Sequence, residues 1–199
     1  MTEQQQFQCT AVLPPGLEAC GAEELSELGA LGVKPLHRAV GFRTDQAGFY
    51  RLQLQARLPF RLLRQLAVFP CRNREELYDG VQRATDWSQW LPPELSFRVD
   101  ASGSLPGLTH SHYSALQVKN ALVDWQRQQW GTRSSVDLDD PDLSIHVHLG
   151  GGQARLSVDG SGESLHRRGY RPRMGLAPLK ENLAAGLIRL TGWDGRVPL

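Results

Sequence analysis

Between Phe7 and Phe69 the apolar residues switch repeatedly between strand and helix spacing, and the order of the switches leaves few folds open. Phe7 to Leu13 is rich in β-formers and is stopped by Pro14-Pro15-Gly16. Leu17 to Leu28 places apolar side chains at helical spacing, with Glu18, Glu23, Glu24 and Glu27 on the opposite, wet face. Gly29 then reads as a C-cap. Val33 to His37 and Val40 to Thr44 read as two strands joined tightly at Arg38–Ala39. Gln46 to Leu58 reads as a second helix and Leu62 to Phe69 as another strand. The order β-α-β-β-α-β is a split βαβ unit of the ferredoxin-like type, an α+β arrangement that fits within these residues.

A second run of elements follows. Asn73 is placed to cap a short helix running to about Arg83, with Glu75 and Glu76 in its first turn. Trp87 and Trp90 read as packing between elements. Leu95 to Ala101 alternates as a half-buried strand. Ser111 is placed to cap a helix running to about Trp130, and Gly131 to end it. On that helix His112, Lys119 and Gln126 fall on one line, with Asn120 and Arg127 beside them and only Asp124 as counter-charge. Leu143 to Leu149 and residues 153–159 alternate on either side of Gly150-Gly151-Gly152, which predicts a hairpin. After Ala177-Pro178, the residues Leu179, Leu183, Leu187 and Leu190 predict one more helix with an apolar side. Val197-Pro198-Leu199 reads as a strand just begun, so the chain is expected to be cut from a longer one.

The densest chemistry lies in HRRGYRPR, where Arg167, Arg168, Arg171 and Arg173 flank Tyr170. No carboxylate is closer in sequence than Glu163 and Glu181, so these guanidiniums are expected to face water or a polyanion. Net charge is only +1, but residues 160–199 carry seven basic side chains against three acidic ones. A phosphate-facing surface therefore has to be built locally. Arg133 and Lys119 supply further donors near the long helix.

Other chemistries find little support. Three scattered cysteines (Cys9, Cys20, Cys71) form no CxxC pair and read as reduced, cytosolic thiols. No basic, apolar leader opens the chain and no apolar run reaches membrane-spanning length. Asp137, Asp139 and Asp140 lack calcium-loop spacing, and the pairs His110/His112 and His146/His148 read as strand or loop faces rather than zinc ligands. The triple glycine precedes a strand, not a helix, so it is no phosphate loop. No catalytic residue and no metal site are assigned.

Several stretches carry a resemblance: DASGS at 100–104, YSALQVKNALVDW at 113–125, SSVDLDDPDLSIHVHL at 134–149, LSVDGSGESLHRRGYR at 156–171 and APLKENLAAGLIRLTGWDG at 177–195. Together they resemble the N-terminal half of bacterial large-subunit rRNA guanine-N(2) methyltransferases that carry a THUMP domain. The resemblance implies a ferredoxin-like domain at 1–70 and an α/β THUMP RNA-binding domain at 71–165, or from about 45. It makes 166–199 a basic linker and the lead-in helix of a methyltransferase domain. The family's S-adenosylmethionine-binding glycine loop and its Asn-Pro-Pro-Tyr motif are absent, so no cofactor is expected here, and S-adenosylmethionine is expected only in a full-length parent. By position, Lys119 matches the family's helix lysine and Arg167, Arg168 and Arg171 its arginine run; Ser134-Ser135 departs from a common Arg-Pro. The implied partners are large-subunit ribosomal RNA, contacted by Lys119, Arg133, Arg167, Arg168, Arg171 and Arg173, and the protein's own methyltransferase domain, with no membrane. A tRNA-directed THUMP module and a protein-interaction domain without RNA affinity are the alternatives.

Overall fold

The computed structural model describes residues 5–169, 178–193 and 195–196. They group into two units, one of residues up to 64 together with those from 160 onward, the other of residues 65–159.

The first unit has β1 (Phe7–Val12), α1 (Glu18–Glu27), β2 (Leu31–Leu36), β3 (Ala39–Thr44), α2 (Gln46–Gln55) and the start of β4 (Arg61–Pro70). Its strand order is β2-β3-β1-β4. β1 is antiparallel to both neighbours, with Cys9 opposite Phe42 on one side and Arg64 on the other. This is the expected split βαβ order. Cys9, Ala11, Leu25, Val40, Phe42, Phe49, Leu52 and Leu62 form its core. Burial pushes the Cys9 thiol up to about 12, so it behaves as a small apolar side chain.

Two readings change here. α2 stops at Gln55 rather than Leu58. The reason is Glu24, expected on the wet face of α1 but only 7% exposed. Its two carboxylate oxygens each accept one backbone N–H, from Arg57 and Leu58, both at 3.0 Å. Those N–H groups cannot then continue the helix. The last helix also shifts: α5 spans Glu181–Leu190, so Pro178 and Leu179 precede it. Its apolar side is not its buried side. Leu187 and Leu190 are exposed, whereas Asn182 and Gly186 are buried. Asn182 donates to Leu58 O at 3.2 Å, and a Cβ on Gly186 would lie 2.3 Å from Leu17. Arg189 pairs with Glu27 and Glu23. The expected strand at Val197–Leu199 lies outside the described residues.

The second unit contains the rest of β4, α3 (Arg74–Arg83), a 3-10 turn at Trp87–Gln89, β5 (Phe97–Gly103), α4 (Ser111–Trp130), β6 (Leu143–Gly150) and β7 (Gln153–Asp159). Its strand order is β4-β7-β6-β5, with β5 parallel and β7 antiparallel to β6. Asn73 caps α3, its side chain accepting the Glu76 N–H at 2.8 Å. Trp87 is fully buried and donates Nε1–H to Val81 O at 2.8 Å, so it is a plug between elements. α4 is entered from His110, not Ser111, and no side chain caps it. The Leu105–Leu108 bridge tightens the preceding loop.

Candidate nucleic-acid interface

α4 packs Val118, Ala121 and Leu122 inward, which turns Lys119, Asn120 and Arg127 toward one surface of the second unit. Gln126 does not join them. It is 1% exposed, and its amide donates to Leu91 O and Ser134 Oγ, both at 2.8 Å, while its oxygen accepts the Ser134 N–H at 2.9 Å. The line drawn on a helical wheel fails at Gln126 because a buried loop backbone needs partners more than solvent does. Ser134, fully buried, is thereby locked, and the next residue back, Arg133, donates Nη1–H to the Ser134 carbonyl at 3.1 Å. This set brings Arg133 to the rim of the same groove as Lys119.

That groove, of about 620 Å³, is lined by Lys119, Asn120, Arg127, Arg133, Gln117, Tyr78 and Asp124 among others. Asp124 is engaged: it accepts the Tyr78 O–H at 2.8 Å and lies 3.8 Å from Arg127. Burial, and then that carboxylate, push the Tyr78 phenol above its ordinary value, so it stays a neutral donor. Three cations and two amides thus face one carboxylate that is already partnered. Such a surface suits phosphate oxygens, with amides left for sugar or base edges.

The arginine run is divided by its partners rather than by exposure: Arg167 and Arg168 are both exposed. Arg168 is bound within the first unit: Nε donates to Leu165 O at 2.8 Å, Nη1 to Gln53 O at 2.9 Å and Leu54 O at 3.0 Å, and Nη2 to Ala56 O at 2.6 Å. The choice between water and polyanion drawn from sequence omitted a third partner, the open carbonyls at a helix C-terminus. Arg171 and Arg173, with Tyr170, lie outside the described residues. Lys119 and Arg133 therefore share one groove, and Arg167 and Arg168 belong to the other unit.

The remaining clusters do other work. Asp137 accepts the N–H groups of Asp139 and Asp140, a turn held by its own carboxylate. His148 Nδ1 lies 2.9 Å from Ser102 Oγ, and burial lowers its pKa below the ordinary value. Among the described residues no group of His, Cys, Asp and Glu is placed to hold a metal ion, and no helix is long and apolar enough to cross a membrane. The triple glycine closes the β6–β7 hairpin, with no helix N-terminus behind it.

Residues 8–63 match the RlmL ferredoxin-like domain and residues 71–159 match the THUMP domain. The chain joins an RlmL-type ferredoxin-like domain to a THUMP domain. The basic groove on α4 therefore lies on the THUMP domain. A ribosomal RNA large subunit methyltransferase K/L of Pseudomonas entomophila is 44% identical over 187 residues, 94% of this chain and 26% of the relative. A candidate RNA methyltransferase of Synechocystis sp. is 46% identical over 189 residues, 95% of this chain and 49% of the relative. Among solved structures, a candidate methyltransferase designated SMU.472, complexed with SAH, superposes with a TM-score of 0.80 at 31% identity. That match covers 98% of this chain and 51% of the other. The chain thus spans a quarter to a half of the proteins it matches.

Proposed function

We propose that this chain docks structured ribosomal RNA for an S-adenosylmethionine-dependent guanine-N(2) methyltransferase, whose chemistry belongs to a separate catalytic domain. The observation that carries the reading is the THUMP-domain groove in which Lys119, Arg127 and Arg133 converge beside a single, already partnered carboxylate. Phosphates entering it displace counterions, which supplies affinity. Asn120 and Gln117 offer amides to sugar hydroxyls, which favours RNA over DNA. Names of the relatives point the same way, toward large-subunit ribosomal RNA.

The test is a salt titration of binding between the chain and a pool of hairpins covering the large-subunit rRNA. Affinity should fall linearly on a log–log plot. Lys119→Ala and Arg133→Ala should each flatten the slope by about 0.7 to 0.9. Unchanged slopes in both variants would remove the groove from the interface. Competition with a tRNA acceptor stem separates ribosomal from transfer RNA: stronger competition by the tRNA would move the substrate class.

A further inference from the structure

The last carbonyls of α2 have no intrahelical partner, and its final turn contains no basic residue of its own. That missing cation arrives from more than a hundred residues downstream. Arg168 caps three of these carbonyls, Gln53, Leu54 and Ala56, and takes Leu165 O with the remaining edge of its fork. A planar guanidinium can address four carbonyls at once, whereas an ammonium, a compact point charge with three donors, cannot span them.

The segment leading to Arg168 is fastened just as locally. Gly160 N–H donates to Leu62 O at 3.1 Å, Ser161 Oγ accepts the Leu62 N–H at 2.8 Å, and Leu165 N–H donates to Phe60 O at 2.8 Å. Gly160 passes so close to α2 that a Cβ there would lie 2.5 Å from the Phe49 ring. Within the strap 160–169 Arg168 is the last of these fasteners, and both it and its neighbour Arg167 are exposed at the surface, Arg168 with its guanidinium engaged.

We propose that Arg168 is a positioning residue: it latches the strap 160–169 to the C-terminus of α2 and so presents the exposed Arg167 to RNA, without itself contacting phosphate. The presenting role rests on the function proposed above; the latch does not. Two measurements on the full chain separate them, using wild type, Arg168→Ala, Arg168→Lys and Arg167→Ala. In amide hydrogen exchange, Arg168→Ala should speed the Leu165 and Ala56 amides by about tenfold or more, leaving β1 and β3 unchanged, and Arg168→Lys should restore part of the protection. In the salt titration with the large-subunit rRNA hairpins, Arg168→Ala should weaken binding at every salt concentration with an unchanged slope. Arg167→Ala should reduce the slope by about 0.7 to 0.9. A merely stabilising residue would leave affinity untouched wherever both proteins are folded.

Unchanged local exchange in Arg168→Ala overturns the latch. A slope loss in Arg168→Ala equal to that of Arg167→Ala makes Arg168 a phosphate ligand and overturns the proposal as well. Absence of binding by wild type defeats the RNA reading and the presenting role with it, while exchange still decides the latch. Should Arg168→Ala fail to fold, Arg168→Lys decides by the same readouts.

Discussion

Gln126, Glu24 and Arg168 share a property that composition hides: each spends its polar head on the protein's own backbone. Gln126 satisfies Leu91 O and the Ser134 N–H from a fully buried position. Gln126→Ala leaves those groups unpaired, at about 1–3 kcal/mol each. Urea denaturation should show the loss, and the salt titration should show weaker RNA binding, because Ser134 no longer holds Arg133 at the groove. Glu24→Gln keeps the shape but replaces one of two accepting oxygens with a donor. The Arg57 or Leu58 N–H then loses its partner, for about 1–2 kcal/mol. Glu27 offers a pH test. The hydrogen bond from Arg189 holds its carboxyl below the ordinary value. Its contribution is therefore present above the ordinary carboxylate range and lost as pH falls through the lowered value. Glu27 is well exposed and Arg189 partly so, and solvent screening keeps the effect within about 1 kcal/mol. The stability gap between wild type and Glu27→Gln should close on acidification; a gap constant with pH would deny the pairing.

Each strand and most helices could be read from periodicity, because apolar spacing records which face a segment buries. Asn73 was legible as a cap for the same local reason: donor and acceptor are three residues apart. Element ends were less legible wherever a distant group settles them. α2 stops where Glu24 takes the next two N–H groups, and α5 begins after Lys180, with Leu187 and Leu190 outward and Asn182 inward. Gly103 shows a constraint of this kind between paired strands. It has φ of 74°, and a Cβ there would lie 1.9 Å from Leu149 O across the β5–β6 pairing. Backbone cannot retreat as a side chain can, so Gly103→Ala should cost about 2 kcal/mol or more, read as a lower denaturation midpoint. A midpoint equal to wild type would mean that the strand end relaxes freely.

The first unit is discontinuous in the sequence, residues up to 64 being completed by those from 160 onward. Removing residues 160–199 should therefore strip Leu165, Asn182, Ala185 and the Arg168 cap from it. Its unfolding should move to lower urea, measured against the full chain by a probe on α2. No shift would make the returning segment a passive tail. Which face of each segment is apolar and where turns fall were written in local spacing, since these depend on neighbours a few residues away, whereas the family came from the resemblance of whole stretches of sequence. Whether Arg168 meets a phosphate or a helix end, whether Gln126 faces water or a loop, and which unit owns the residues past Asp159 were not. These depend on which carbonyls and N–H groups lie unsatisfied nearby, and only folding brings groups a hundred residues apart within a hydrogen bond of one another.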